Sequence, residues 1–307
     1  MPVIVMKQTL VLGSTVVDVL LNVPSLPRQG EDINIAASEL SIGGCAYNVY
    51  KTLRLFGCPA RLCSPVGSGL YGGMVRKRFE EEQLLPIANL DMENGCCYCL
   101  VEPGGERTFL SHHGAEYLFS RSWMADADLS QADSVYISGI DLEEPTGDEM
   151  ASFVVEHPEC ALFFAPGPRI MHIPQSRMQR VLCHRGNNGK GPLLHLNEKE
   201  AVNFSGKGTV EGAAAFLAGI TGNTVVITLG FRGCFCLENG ANGLYIPGFP
   251  AQALDTVGAG DTHCGALIAS LKKGMALPEA CSLANKAGAA AVETRGAVLT
   301  RIAWESI

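Results

Sequence analysis

The sequence predicts an α/β fold, in which a doubly wound, mainly parallel sheet carries helices on both faces and a small second sheet stands beside it. Short apolar runs, typical of buried parallel strands, alternate with helical segments along the second half of the chain. Two earlier stretches instead alternate polar and apolar residues, as strands with one solvated face do. At 307 residues and 47% hydrophobic, the chain can bury one large core.

The composition argues against several classes of function. A net charge of −8 with no offsetting basic run argues against binding to nucleic acid or to an anionic membrane. No stretch approaches the roughly 18 uninterrupted apolar residues of a transmembrane helix, and residues 1–7 lack the features of a signal peptide. The 12 cysteines lack the paired spacing of zinc ligands, so we expect mostly buried thiols and a cytoplasmic location.

The first strand is expected at residues 9–14, an apolar run that ends in glycine. Asp18 follows just past its C-terminal end, where ligands gather in open α/β sheets. After a turn-rich stretch, residues 32–36 and 39–42 alternate polar and apolar and are predicted to be strands outside the main core.

A glycine pair opens the first predicted helix. Gly43 and Gly44 precede an apolar stripe that ends at Phe56, and Gly57 is placed to terminate the helix. The pair lets the backbone approach a ligand closely. Asn48 lies in the first helical turn, where taken alone it is an ordinary helix-start residue.

Residues 67–72 spell G-x-G-x-x-G between a strand-like run and a helix, the pattern of a dinucleotide fingerprint. Its acidic partner would have to be Asp91, which does not close a strand. We therefore interpret this motif as structural, with an NAD-dependent enzyme as the alternative. Beyond it, residues 97–101 and 107–111 predict a hairpin around a glycine turn at 103–106.

Strands and helices then alternate regularly. The predicted strands lie at 135–139, 161–165, 193–196 and 224–229. The predicted helices lie at about 145–157, 174–184, 198–219, 259–271 and 278–293.

The run D-T-V-G-A-G-D-T at 255–262 is the most informative stretch. A tight glycine turn that opens a helix presents free backbone N–H groups at the positive end of the helix dipole, which makes an anion site. Asp255 and Asp261 flank this turn. A carboxylate repels a bound anion, so Asp261 is better interpreted as a general base that takes a proton from a hydroxyl attacking a phosphoryl group. A turn followed by an acidic helix cap is the alternative.

Over residues 8–300 or so, the sequence resembles the ribokinase-like (PfkB) carbohydrate kinase family. Four motifs occur in the family's order: Gly43-Gly44-x-x-x-Asn48, Asn197-x-x-Glu200, Thr228-Leu-Gly230-x-x-Gly233 and the 255–261 run. Any one of them would be a weak signal, whereas four in order are specific.

The resemblance implies a single domain over 1–307, with a small β-sheet lid formed by residues 15–42 and 92–113. It implies transfer of the γ-phosphoryl group of ATP to a hydroxyl, usually a hydroxymethyl, of a sugar or nucleoside. Asp261 would be the base, and the backbone N–H groups of Gly258, Ala259 and Gly260 would form the anion hole.

The resemblance also implies the rest of the site. The groups that would hold substrate hydroxyls are Asp18, Gly43, Gly44 and Asn48, with Asp141 near a further acidic ligand position. The groups that would line the ATP site are Asn197, Thr228, Gly230, Gly233, Gly258, Gly260 and Asn285. Asn197 and Glu200 would organise Mg²⁺. Asp255, with carbonyls near Val257 and in 292–297, is similar to a monovalent-cation site, which implies K⁺.

The alternatives concern the acceptor and the class of protein. A nucleoside kinase of the same family would need an aromatic base pocket, for which Tyr47, Tyr98 and Phe109 are candidates. A non-catalytic nucleotide or sugar sensor is a further alternative, although a sensor has no need of the base. Arg107 and Arg169 are expected to be structural or surface arginines, with pairing to a charged substrate as the alternative. The exposed small sheet suggests a homodimer formed through the lid.

Overall fold

The computed structural model describes residues 6–103, 106–125 and 129–305. Across these residues, eight strands form the main sheet. In spatial order they are β14 (Leu244–Ile246), β13 (Cys234–Leu237), β12 (Val225–Thr228), β11 (Leu193–Asn197), β10 (Ala161–Ala165), β9 (Ala132–Ser138), β1 (Gln8–Leu12) and β4 (Ala60–Cys63). Strands β12 to β4 pair in parallel, and β13 and β14 add an antiparallel edge.

Helices cover both faces of this sheet. One face carries α3 (Gly139–Glu143), α4 (Gly147–Glu156), α5 (Gln175–Leu182), α6 (Glu198–Ser205) and α7 (Val210–Thr221). The other carries α1 (Cys45–Leu55), α2 (Gly69–Glu81), α8 (Ala259–Lys272), α9 (Leu277–Val292) and α10 (Arg301–Glu305). Successive strand residues point to opposite faces, so Leu10 and Leu12 pack in the first layer while Val11 packs in the second. The predicted doubly wound fold is confirmed.

A second sheet of four strands lies apart from the main one, as predicted. Its order is β3 (Ala37–Gly43), β2 (Val16–Asn22), β7 (Cys96–Val101) and β8 (Arg107–His112). The expected strand at 32–36 is wrong: these residues form no strand and are mostly exposed, because alternation alone does not provide a pairing partner. Of the predicted hairpin turn, Gly104 and Gly105 lie outside the described residues.

Two further details differ from the sequence prediction. The single helix expected at 198–219 is two helices, because Gly206 ends α6 in the left-handed conformation (φ 65°) and Thr209 caps α7. Residues 89–93 form β6 (Asn89–Glu93), which pairs with β5 (Val66–Ser68) instead of joining the four-stranded sheet.

Polar residues lie at the carboxyl ends of several parallel strands, at one edge of the main sheet. Asp141 follows β9, Asn197 ends β11 and Thr228 ends β12. The carboxyl ends of parallel strands meet at one edge, and this edge is where open α/β sheets bind ligands. The structure therefore brings side chains that are far apart in sequence to one place.

Candidate active site

A glycine turn opens α8. Gly258 has a φ of 71°, and a Cβ placed on it would lie 2.0 Å from the carbonyl oxygen of Ala297. Within the described residues, the backbone N–H groups of Gly260 and Asp261 donate no hydrogen bond, whereas the N–H of Ala259 donates to Thr256 O across 3.4 Å. The start of α8 thus offers unused N–H donors, as an anion-binding helix terminus should.

Asp261 lies in the first turn of α8 beside these donors. Asn48 Nδ2 donates to Asp261 Oδ2 across 2.9 Å. Burial raises the pKa of Asp261 to about 6, while hydrogen bonds from Asn48 and the Cys45 thiol act in the opposite direction. The side chain is therefore a carboxylate near neutral pH with a higher basicity than an exposed aspartate.

Two more buried carboxylates lie near Asp261. Asp18 on β2 has its pKa raised to about 7, by burial first and then by the charges of Asp261 and Asp255. Asp141 on α3 also has its pKa raised to about 7 by burial, although Ser138 donates a 2.7 Å hydrogen bond to its Oδ2. Asp141 Oδ1 accepts no hydrogen bond within the described part of the chain. The region is rich in hydrogen-bond acceptors.

Glycines make room for these carboxylates. A Cβ on Gly43 would lie 2.1 Å from Asp18 Oδ2, and a Cβ on Gly13 would lie 2.4 Å from Asp141 Oδ2. Gly44 has a φ of 99° and packs against the carbonyl of Ser14. The glycine pair at 43–44 therefore lets Asp18 and the start of α1 approach each other closely.

Cys45, the first residue of α1, was not singled out from the sequence. Its thiol donates to Asp261, and burial together with the charges of Asp261, Asp141 and Asp18 raises its pKa well above the ordinary value. The thiol therefore stays protonated and acts as a weak donor. Its position directly after the glycine pair was the only signal in the sequence.

Asp255 lies three residues before Gly258 and is bonded on both oxygens. Oδ1 accepts from the N–H of Val257 (2.8 Å) and from Arg107 Nη1 (2.7 Å), and Oδ2 accepts from the N–H of Gly296 (3.0 Å). Both side chains are largely buried, with 9% of Arg107 and 4% of Asp255 exposed. Arg107 was expected to be structural, with pairing to a charged substrate as the alternative, and no local pattern in the sequence pointed to Asp255 as its partner.

A cavity of about 330 Å³ lies on one side of the glycine turn. Five residues predicted to line an ATP site line it: Thr228, Gly230, Gly233, Gly260 and Asn285. Much of the remaining wall is glycine and alanine, including Gly288 and Ala289 on α9. Small wall residues leave space for a flat ring between residues 230–233 and α9.

A second cavity of about 170 Å³ adjoins the first at Gly260. It contains Asp261, Asn197 and Glu200, and it shares Thr228 and Gly260 with the first cavity. The unused N–H groups at the start of α8 therefore lie at the junction of two cavities, and Asp261 faces the second.

Asn197 and Glu200 form a capping box at the start of α6. Asn197 Oδ1 accepts from the N–H of Glu200 (2.8 Å), and Glu200 Oε2 accepts from the N–H of Asn197 (3.0 Å). Burial raises the pKa of Glu200. Each Glu200 oxygen accepts one hydrogen bond and retains a lone pair, which suits a magnesium ion held mainly by phosphates and water. Among the described residues no cluster of three or more metal-ligating side chains occurs.

A buried polar chain links the two cavities. Asn285 donates both its amide hydrogens to the carbonyls of Ile246 and Pro247 (3.1 and 3.0 Å), so its Oδ1 accepts from His263 Nε2 (3.0 Å). Because His263 donates through Nε2, its Nδ1 accepts the 2.8 Å hydrogen bond from His195 Nε2. Asn285 therefore shapes the first cavity by holding the backbone at 246–247, and its amide is not free to bind a ligand.

The register of the small sheet decides which side chains face the site. Phe109 pairs with Cys99 and lies on the face that carries Asp18, and it is 53% exposed. Tyr98 lies on the opposite face, 3.3 Å from the hydroxyl of Tyr71. Tyr47 is buried and donates to Glu82. Of the three aromatic residues considered for a base pocket, only Phe109 faces the site.

The glycines at 67–72 pack internally, in agreement with the structural interpretation. A Cβ on Gly67 would lie 2.2 Å from the carbonyl of Met92, and a Cβ on Gly72 would lie 2.2 Å from that of Gly67. The N–H of Gly67 donates to Asn94. Arg169 pairs with Glu143 at the surface, as expected. Among the residues the structure describes, no helix is both long and apolar enough to cross a membrane.

Comparison with known proteins identifies a family. The family model for pfkB family carbohydrate kinases matches residues 6–303. A protein named as an uncharacterized sugar kinase, YegV, from Escherichia coli K12 is 34% identical over 303 residues, which are 94% of this chain and 90% of that one.

Two solved structures have the same fold. The ribokinase of Thermotoga maritima matches with a TM-score of 0.81 at 21% identity, covering 98% of each chain. The ribokinase of Arabidopsis thaliana, complexed with ribose and ATP, matches with a TM-score of 0.77 at 20% identity and again covers 98% of each chain.

Proposed function

The chain belongs to the pfkB family of carbohydrate kinases, and we propose that it transfers the γ-phosphoryl group of ATP to a hydroxymethyl group of a neutral sugar, with Asp261 as the general base. That it is an ATP-dependent sugar kinase follows from the family. The role of Asp261 and the class of acceptor are our proposals.

The observation that carries the proposal is the position of Asp261. Its carboxylate faces the smaller cavity, immediately after the unused N–H groups at the start of α8, and these lie where that cavity meets the larger one. An acceptor hydroxyl in the smaller cavity and a nucleotide in the larger one would face each other across Gly260. In-line phosphoryl transfer requires this arrangement of acceptor, phosphoryl group and donor.

Each residue of this arrangement has a separate task in the proposed reaction. Asp261 accepts the hydroxyl proton as the oxygen–phosphorus bond forms, while Asn48 and Cys45 hold the carboxylate in place. The N–H groups of Gly260 and Asp261 stabilise the negative charge of the transferring group. Glu200 and Asn197 would hold Mg²⁺, which when bound neutralises phosphate charge.

The buried charges near Asp261 and Cys45 favour a neutral acceptor. Asp18, Asp141 and Asp261 are buried carboxylates, and burial and mutual repulsion raise the pKa of Asp18. The positive charge of Arg107 is already paired with Asp255. A carboxylate or phosphate on the acceptor would meet uncompensated negative charge, whereas hydroxyl groups could donate to these acceptors. We therefore favour sugars and polyols over sugar phosphates and sugar acids.

A nucleoside is the second candidate, on the strength of Phe109. Its half-exposed ring lies on the site-facing side of the small sheet and could stack on a base. Tyr47 and Tyr98 are engaged elsewhere, so a base would have aromatic contact on one side only. We therefore rank a sugar above a nucleoside as the acceptor.

We further propose that residues 1–307 act as one domain in which the small sheet serves as a lid. Asp18 and Arg107 extend from this sheet toward the site.

The other face of the small sheet exposes 50% of Leu40 and 57% of Leu110, and we propose that a second copy of the chain covers them in a homodimer. Sedimentation or light scattering of the wild type and a Leu40→Lys, Leu110→Lys variant tests this proposal.

The test of function is an ADP-release screen with ATP and Mg²⁺ over five acceptor classes: neutral sugars, polyols, nucleosides, sugar phosphates and sugar acids. We expect turnover with a neutral sugar or polyol, and a product phosphorylated on its primary hydroxyl. A marked preference for a sugar phosphate or sugar acid would contradict the neutral-acceptor proposal, and a preference for a nucleoside would favour the second candidate.

A further inference from the structure

We propose that Arg107 is a positioning residue for phosphoryl transfer: its guanidinium is a built-in counter-ion for Asp255, takes the place of a monovalent cation and couples the small sheet to the anion-binding turn. The inference rests on the proposed function for its catalytic consequence. The contacts on which it is built are independent of the substrate.

The ion pair is short and buried. Arg107 Nη1 lies 2.7 Å from Asp255 Oδ1 and 3.3 Å from Thr256 Oγ1, and less than a tenth of either charged side chain is exposed. An exposed ion pair contributes little because water screens it, whereas a buried one becomes strongly destabilising when one partner is removed. Removal of the Arg107 side chain would therefore leave the buried carboxylate of Asp255 without a counter-ion.

Both oxygens of Asp255 have hydrogen-bond donors, and Oδ1, which has two, offers no lone pair to a metal cation. Oδ1 accepts from Arg107 and from the N–H of Val257, and Oδ2 accepts from the N–H of Gly296. A K⁺ ion at Asp255 would lie next to a guanidinium of the same charge and would have to displace it. The residues present therefore do not fit the monovalent cation that the family resemblance implied.

The segment held by the Arg107–Asp255 pair leads into the glycine turn that forms the anion site. Asp255 precedes Gly258 by three residues, and its Oδ2 holds Gly296, the neighbour of Ala297. Ala297 in turn packs so closely on Gly258 that a side chain there is excluded. A shift of Asp255 would thus displace the start of α8 both along the chain to Gly258 and through the contact of Ala297 with Gly258. Such a displacement is costly in a reaction that depends on positioning.

Arg107 belongs to the small sheet, so the ion pair also acts as a link. Arg107 begins β8, on the same face as Phe109 and Asp18. Its Nε is buried and donates no hydrogen bond within the described residues, which leaves one donor for a ligand hydroxyl. The ion pair thus ties the small sheet directly to the segment that precedes the anion-binding turn.

The test compares cation response with loss of the guanidinium. Wild type, Arg107→Ala, Arg107→Lys and the matched control Arg121→Ala are assayed in tetramethylammonium buffer at constant ionic strength, with KCl or NaCl substituted in turn. Arg121 is suited as the control because it pairs with Glu149 and Glu156 on the exposed surface. Thermal unfolding of the same proteins without substrate gives a second readout that does not depend on turnover.

We expect K⁺ to change neither the turnover nor the melting temperature of the wild type relative to Na⁺. Arg107→Ala should lower kcat at least ~10-fold, since the anion site loses its position. Guanidinium at a non-denaturing concentration should restore part of this loss, whereas urea at the same concentration should not. Arg107→Lys should retain an intermediate kcat, because the charge remains and the planar fork is lost.

Two results would overturn the proposal: a specific activation or thermal stabilisation of the wild type by K⁺, or Arg107→Ala behaving like Arg121→Ala. If Arg107→Ala does not fold, the cation response of the wild type and the behaviour of Arg107→Lys decide. If no acceptor supports turnover, the proposed function fails, while the thermal comparison of K⁺ with Na⁺ still decides the claim about the cation.

Discussion

Asn48 Nδ2 donates a 2.9 Å hydrogen bond to Asp261 Oδ2, joining the first turns of α1 and α8 across 213 residues of sequence. The bond holds the proposed base against the helix that follows the glycine pair. It also favours the ionised carboxylate, in opposition to the burial that raises the pKa of Asp261 to about 6. This contact thus affects both the orientation and the basicity of Asp261.

The first prediction concerns the pH dependence of kcat/KM. A base must be ionised to accept a proton, so activity should be constant above the pKa of Asp261 and fall about tenfold per pH unit below about 6. Asn48→Ala removes a hydrogen bond to the ionised form, so the acid limb should move to higher pH. Steady-state rates of both proteins across pH test this prediction. An acid limb that stays in place in the variant would show that the limb does not report Asp261.

The second prediction concerns the glycine turn. Gly258→Ala should lower kcat by ~100-fold or more, because its Cβ would collide with the carbonyl of Ala297 and displace the start of α8. Gly240→Ala is the matched control, since Gly240 also has a positive φ (82°) but no atom lies within 4 Å of an added Cβ. The control should lose only about 1–2 kcal/mol of stability and retain its kcat. Equal losses of turnover in both variants would remove the special role of Gly258.

The third prediction concerns the cost of burying Asp141. Its pKa of about 7 in the folded protein exceeds its ordinary value of 3.8, so the folded state binds the proton more tightly than the unfolded state. The stabilising contribution of the protonated group is complete below pH 3.8 and is lost as the pH rises through about 7. Asp141→Asn should therefore raise the free energy of unfolding by ~1 kcal/mol or more near pH 8 and give no gain near pH 4.

Urea unfolding at the two pH values measures this difference, with the exposed Asp91→Asn as the control that should change stability equally at both. The same Asp141 variant should bind the sugar less well, because stability and function are often opposed at such sites. A gain in stability that does not depend on pH would contradict the assignment of Asp141 as a buried titrating group.

The sequence predicted most of the fold because periodicity is a local property. Runs such as 161–165 and 193–196 became β10 and β11 with almost unchanged limits, since a fully buried strand needs apolar residues on both faces. Residues 32–36 failed for the converse reason: alternation is necessary for a half-exposed strand, but hydrogen-bonded pairing is decided elsewhere in the chain. Gly206 is a typical residue for a helix end, but the apolar pattern on both sides of it predicted one continuous helix.

Only those residues of the candidate site that belong to the family motifs could be predicted from the sequence. The motif residues Thr228, Gly260 and Asp261 do line two adjoining cavities, and Asn48 donates to Asp261. Cys45 and Arg107 could not be found in this way, because their partners Asp261 and Asp255 lie on distant segments and the contacts exist only in three dimensions. Asn285 lines the same cavity as Thr228, Gly230 and Gly233, whereas its role in holding the 246–247 backbone depends on a hydrogen-bond network that no local pattern encodes.

The most direct test of the account is the turnover of Asp261→Asn with the acceptor that the screen identifies, measured together with its affinity for ATP. Asparagine keeps the size of the side chain and removes the base, so kcat should fall at least ~100-fold. The dissociation constant for ATP should stay within about threefold of wild type, because the cavity that would hold the nucleotide is unchanged. Near-normal turnover in Asp261→Asn would contradict the assignment of Asp261 as the general base.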